Sequence, residues 1–330
     1  THDTIPNYGS PSDYPRKIDV NYEAEGGTSL EARDWLHTNS IDFNPDLDQI
    51  MLSIRGVNEL WIINHNTTTI ESKGEAGDLM YRWGNPAAYS RGDITDQKLY
   101  KQHDCHWIKE GLQSGGDILI YNNGNDRPEG NYSTVNEIQL PPFEQGQYSI
   151  ASTQTETFLP EDYSWSFPDT LDPEFFSQNV SGAQRLSNGN TLICEGASGH
   201  VFEVDSNKLI VWDYINPVNN YGSIDQGDPA IANSLFRSLR YEPDSEALAG
   251  QDLSPSIPLE TNPYPNECEV FNNDTCIGDL DSNGVVSIAD ILLALGEFGC
   301  ISDCIYDLNG DGALGVNDIL ILLQAFSSFC

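Results

Sequence analysis

Basic residues are scarce in this sequence: 15 Lys and Arg stand against 51 Asp and Glu in 330 residues, a formal net charge of -36. Binding a polyanion through released counterions needs a cationic surface, so nucleic acid is excluded as a partner. Long apolar runs are missing as well. The longest aliphatic stretches, around Ile291 to Leu295 and Ile319 to Leu323, lie in amphipathic patterns and fall well short of the roughly 18 residues of a membrane span. The opening THDTIPNYGS has neither a basic nor an apolar leader region, so an export signal is expected to have been removed or to lie upstream. Aromatic residues, in contrast, make up 10% of the chain and hydrophobic residues 38%, enough for a real core and against wholesale disorder. The acidic excess suits a saline or calcium-rich exterior, where screening and bound cations relieve self-repulsion.

Cysteine is unevenly placed. Cys105 and Cys194 stand alone, whereas Cys268, Cys276, Cys300, Cys304 and Cys330 crowd into the C-terminal part. Such clustering in a small terminal unit reads as disulfides and an oxidising compartment: a secreted protein, extracellular, at the cell surface or periplasmic.

From Asp34 to Tyr214 short strands alternate with Gly, Asn and Asp turns. QIMLSIRGVNELWIIN (49–64), DILIYNNGNDRPEGNYSTVNEIQL (117–140) and NTLICEGASGHVFEV (190–204) each read as an aliphatic strand, a polar turn and a second strand carrying Glu. A tryptophan strand follows each, at Trp83, Trp165 and Trp212, and a shorter strand precedes each, starting at His37, His103 and Ser181. Four strands per unit, repeated, predict β-propeller blades whose first strands line a central channel. Leu52, Leu119 and Leu192 mark equivalent positions, and insertions such as 74–101 lengthen the units. IDVNY (18–22) is a candidate strand of the blade before. Three blades do not close a ring, so the missing propeller half is expected upstream in the same precursor or in a second chain.

The C-terminal part holds the sharpest local motif. DLDSNGVVSIAD (279–290) and DLNGDGALGVND (307–318) place oxygen side chains at loop positions 1, 3 and 5, Gly at 6 and a carboxylate at 12, the cage that calcium needs. The expected ligands of two calcium ions are Asp279, Asp281, Asn283, the Val285 carbonyl and Asp290, then Asp307, Asn309, Asp311, the Ala313 carbonyl and Asp318. Each loop runs into an amphipathic helix with no helix before it. This loop-helix duplication resembles the dockerin family over residues 276–330, which implies a small α-helical, EF-hand-like module and a cohesin-like or extracellular assembly partner. Cys276 and Cys304 precede the loops and Cys300 and Cys330 follow the helices, so these four are expected to form two disulfides, with all three connectivities open.

HTNSIDFNPDLDQIMLSIRGVNELWIINHNTTT, GDLMYRWGNP, QHDCHWI with GDILIYNNGN, and SGAQRLSNGNTLICEG with FEV and IVWDYINP together resemble the arylsulfotransferase family, from about Tyr8 to Pro255. The resemblance implies a six-bladed propeller, about half of it present here. It implies sulfuryl transfer from a phenolic sulfate donor to a phenol acceptor through a sulfohistidine, with no nucleotide sulfate donor and no organic cofactor. The family's H-x-N and following Arg fall on His37, Asn39 and Arg55, its nucleophile on His103 and a substrate-lining hydroxyl on Ser181. The expected organisation is a partial propeller over 1–253, a Pro/Asn-rich linker over 254–275 and the calcium module over 276–330. The competing expectation is a non-catalytic extracellular propeller that serves as a binding or structural component.

Overall fold

The computed structural model describes residues 9–20, 22, 34–144, 146–150, 157–254, 258–261, 278–281, 286–301 and 304–326. The chain divides into two compact units, Thr1–Thr261 and Asn262–Cys330. The first is mainly β. Strands β1 (Thr38–Asn44), β2 (Gln49–Ile54), β3 (Glu59–Asn64) and β4 (Tyr81–Trp83) form one antiparallel sheet in chain order. The second sheet holds β5 (His103–Trp107), β6 (Ile118–Asn122) and β7 (Thr134–Ile138); a small hairpin of β8 (Phe143–Glu144) and β9 (Gln147–Tyr148) then intervenes before the outer strand β10 (Trp165–Phe167). β11 (Gly182–Arg185), β12 (Thr191–Glu195), β13 (His200–Val204) and β14 (Ile210–Ile215) form the third, and β15 (Val218–Asn219) pairs with β16 (Gly222–Ser223).

The periodicity explains this layout. Leu52, Leu119 and Leu192 all sit in second strands and Trp83, Trp165 and Trp212 all in fourth strands. The faces between sheets are packed: Met51, Leu60, Ile62, Tyr81 and Trp83 meet Cys105, Trp107, Ile118, Ile120 and Ile138, and Leu119, Tyr121 and Val135 meet Ala183, Ile193, Phe202 and Val204. First strands lie side by side. Asn39 Nδ2 donates to the Gln102 carbonyl, Ser40 Oγ to that of Cys105, and the Trp107 N–H to Asp42, tying β1 to β5. The Ala183 N–H donates to Asp104, tying β11 to β5.

A buried acid recurs on every third strand: Glu59, Glu137 and Glu203. Each carries an arginine. Glu59 takes Arg82 through Nε at 2.9 Å and through Nη2 at 2.5 Å, Glu137 takes Arg185 at 2.6 Å, and Glu203 takes Arg240. Aromatic rings complete these sites, with Arg82 over Tyr89, Arg185 over Trp165 and Arg240 over Trp212. Two of the chain's few cations, Arg82 and Arg185, are therefore committed to the interior, while Arg240 stays partly exposed.

The candidate strand IDVNY is not one: residues 18–20 and 22 run as turns and irregular chain. Arg16 instead anchors this stretch, donating to the carbonyls of Leu79, Met80 and Tyr148. The first unit also continues past 253, since Thr261 bridges to Asp225.

In the second unit, α1 (Ile288–Gly296) and α2 (Val316–Gln324) follow the two acidic loops and enclose a small core of Val286, Ala294 and Leu322. Ser287 caps α1 in a reciprocal box with Asp290. Cys300 is disulfide-bonded to Cys304. Cys268, Cys276 and Cys330 lie outside the described residues. No helix among the described residues is long and apolar enough to cross a membrane.

Candidate active site

Irregular backbone gathers where the first strands begin. His37 (φ 44), Lys101 (φ 57), Asp104 (φ 54), Val180 (φ 52) and Ser181 (φ 87) all lie in the left-handed region that non-glycine residues seldom occupy. Both β1 and β5 are bulged there, with register shifts between Thr38 and Ser40 and between His103 and His106. A bulge re-aims side chains. It also corrects the simple alternation that would set His37 and Asn39 on one side: His37 precedes β1, is exposed and pairs through Nδ1 with Asp34, while Asn39 is the extra residue in β1.

His103 is 4% exposed and stands at the start of β5. Its Nδ1 lies 2.7 Å from Asn123 Oδ1 and 3.2 Å from the Lys101 carbonyl. Burial pushes its pKa down to about 4, and the nearby positive charges of Arg55 and His37 push the same way. The imidazole is therefore neutral at neutral pH. Arg55 directly follows β2 and forms no ion pair among the described residues. Asn39 braces the backbone at Gln102, immediately before His103. His37, Asn39, Arg55 and His103 thus share one neighbourhood.

Asp104, inside the bulge of β5, is engaged with other partners than His103. Its carboxylate takes Arg237 at 2.7 Å and the Ala183 N–H, and burial pushes its pKa up against the pull of His106 and Arg237. Gly182 is needed there, because a Cβ would stand 2.3 Å from Asp104 Oδ2. Ser181 is buried and fully engaged: its hydroxyl donates to Ser177 Oγ or to the Asn179 carbonyl and accepts from the Gly196 N–H.

Three residues of this neighbourhood escape the sequence reading: Asn123, Ser177 and Val180. One signal was available, since Asn123 directly follows β6 as Arg55 directly follows β2, yet NNGN reads first as a turn. Arg127 stacks on Tyr100 and Tyr132.

Residues 15–228, well over half of the chain, match the sequence profile of the arylsulfotransferase (ASST) family. The chain belongs to the arylsulfotransferase family. Against curated proteins this arylsulfotransferase-family chain has no significant match. Among solved structures it is similar to a streptogramin B lyase (14% identity, TM-score 0.28, 55% of this chain and 41% of that one). It is also similar to BamB from Moraxella catarrhalis (10%, 0.28, 56% and 39%) and to a protein of unknown function from Bacteroides caccae (12%, 0.25, 57% and 64%). The chain spans less than two thirds of the length of each, and likeness at this level decides neither fold nor function.

His200, Cys105 and Cys194 stand in structural settings. His200 lies between Glu195 (3.3 Å) and Asp213 (2.9 Å), and the Glu195 contact leads in raising its pKa. A raised folded pKa contributes stability that is present below the unfolded value of about 6.5 and is lost as pH rises through the folded value. The melting temperature of the wild type is thus expected to fall towards that of His200→Gln between pH 6 and 8, measured by circular dichroism. Burial raises the Cys105 and Cys194 thiols to about 12, so both are inert as nucleophiles.

In the second unit, carboxylate oxygens of Asp279, Asp281 and Asp290 lie within 4.8 Å of one another, a spacing and donor type that fit calcium. Asn283 and Val285 lie outside the described residues. In the second loop Asp307 accepts from the N–H groups of Gly310, Asp311 and Gly312, and Asp318 from those of Leu308, Asn309 and Gly315, as Asp290 does from Leu280, Asp281 and Ser287 in the first. Asn309 and Ala313 both bond to Asp311, Asn309 through its Nδ2 and Ala313 through its backbone N–H.

Proposed function

We propose that this chain carries the sulfuryl-transfer site of an aryl-sulfate sulfotransferase, with His103 as nucleophile. The observation that supports this best is a buried, neutral imidazole beside Arg55, which forms no ion pair among the described residues, in a chain with 51 acidic and 15 basic residues. The Nε2 lone pair attacks sulfur of a phenolic sulfate, the S–O bond breaks, and its electron pair leaves on the aryl oxygen, which takes up a proton. A phenol acceptor then attacks sulfur, its hydroxyl proton passing to solvent, and the N–S pair returns to Nε2. Arg55 stabilises charge on the sulfuryl oxygens with His37 beside it, and Asn39 steadies the backbone that carries His103. The test is transfer from 4-nitrophenyl sulfate to phenol, with intact mass showing one added sulfuryl group after donor alone. Absence of both in the folded protein would favour a binding or structural role.

The three sheets, with first strands adjacent, support propeller blades with the site at the head of the inner strands. The second unit is proposed as a dockerin-like calcium module. Its helices expose matched apolar residues, Ile288, Leu292, Leu295 and Phe298 on one repeat and Val316, Leu320, Leu323 and Phe326 on the other, a surface suited to a cohesin-like partner. The Cys300–Cys304 disulfide supports secretion. Chelation of calcium by EDTA is expected to unfold this unit at lower temperature, because clustered carboxylates repel without a cation. An unchanged calorimetric profile in EDTA would count against calcium.

A further inference from the structure

We propose that Asn123 is a positioning residue that holds His103 as the Nδ1–H tautomer and thereby makes Nε2 the nitrogen that reacts. The inference rests on the sulfohistidine reading above and adds to it a residue whose place is set by hydrogen bonding alone.

Asn123 is fully buried. Its Nδ2 donates to two carbonyls, Ser177 at 2.8 Å and Val180 at 3.1 Å. Turning the amide over would set Oδ1 against both carbonyl oxygens, so the orientation is fixed. Oδ1 must then face His103 Nδ1, where the Lys101 carbonyl is a second acceptor. Two acceptors with no donor require the proton on Nδ1. Nε2 is left with its lone pair.

The anchor is itself braced. Ser133 Oγ donates to the Asn123 carbonyl and accepts from the Ser177 N–H, and the Ala197 N–H donates to Ser177 Oγ. Val180 holds a left-handed φ of 52, costly for a β-branched residue, and its carbonyl is one of the two that orient Asn123. Strain next to a reacting group is where such a cost is met by function.

An amide suits this role better than a carboxylate. The groups facing His103 are Arg55 and His37, both cationic when charged, while Asp104 on its own strand is turned to Arg237. An amide sets the tautomer without adding charge, so Nε2 stays unprotonated. An aspartate would favour the imidazolium, whose Nε2 carries a proton and cannot form the N–S bond. During transfer Nδ1 keeps its proton, Nε2 donates its pair to sulfur, and Asn123 Oδ1 accepts a stronger bond from the now cationic ring.

The test is histidine ¹⁵N NMR on the full chain, with kinetics alongside. In the wild type, His103 should show a protonated Nδ1 and an unprotonated Nε2 at pH 7. Asn123→Asp should raise the His103 titration by about two units or more and move the acid limb of the 4-nitrophenyl sulfate pH profile by the same amount. Asn123→Ala should lower kcat about 10²-fold with KM within about twofold, as for other groups that orient a reacting imidazole. A wild-type ring protonated on Nε2, or a His103 titration unmoved in Asn123→Asp, would overturn the assignment. The expected tautomer and titration in a protein that transfers no sulfuryl group would instead sink the sulfotransferase reading and leave the Asn123 assignment standing.

Discussion

Replacement of His103 by alanine is expected to lower sulfuryl transfer by at least about 10³-fold, the order seen when a covalent nucleophile is removed. The fold should survive it, since the side chain's bonds are to Asn123 and one carbonyl. In the wild type, kcat/KM should stay flat from neutral pH downwards and fall only near pH 4, because a depressed histidine pKa keeps the nucleophile unprotonated until then. Stability follows the same sign. Below about pH 6.5 the unfolded chain takes up a proton that buried His103 refuses, so the fold weakens towards pH 4. An activity loss near pH 6.5 would mean an ordinary imidazole and no special burial.

Arg82→Leu is expected to cost about 3–5 kcal/mol, more than any surface change, by leaving the Glu59 carboxylate buried without its cation. Glu59 is fully buried, with Trp61 Nε1 and Arg82 as its donors, and burial already pushes its pKa up. Arg82 also holds the Pro15 and Lys17 carbonyls, so the same change frees the stretch that covers the first sheet. The double variant Glu59→Met with Arg82→Leu should recover a large part of the loss, since removing both charges avoids an unpaired ion. Urea unfolding checks both. Equal losses in the single and double variants would show that Arg82 acts through the carbonyls alone.

What the sequence made legible was periodic. Leu52, Leu119 and Leu192 recur because each second strand turns an aliphatic residue into a hydrophobic cluster, and Trp83, Trp165 and Trp212 recur at the outer strand of each sheet. His37, Arg55 and His103 were legible through motif order. What escaped depended on single dihedrals and on contacts distant in sequence. The bulge at Asn39, the left-handed turn at His37 and the Asn123 bonds to residues 177 and 180 leave no periodic trace. Glu59, Glu137 and Glu203 were visible as repeated acids, but their arginines lie 23, 48 and 37 positions away, so the pairing waits on the fold.

Asn123 is followed by Gly124, and that pair ages chemically in a loose chain: the glycine nitrogen attacks the side-chain carbonyl, ammonia leaves, and water opens the resulting ring to aspartate or isoaspartate. Here the Gly124 N–H is held by the Tyr100 carbonyl at 2.8 Å and the Asn123 amide by two others, so neither partner is free to react. Gly124 cannot be exchanged to slow the chemistry either, because its φ is 80 and a Cβ would meet the Tyr132 carbonyl. The intact sheet end therefore protects its own covalent structure. Unfolding exposes the one amide whose conversion would place a negative charge beside Nδ1 of His103, so the fold that orients this amide also guards it.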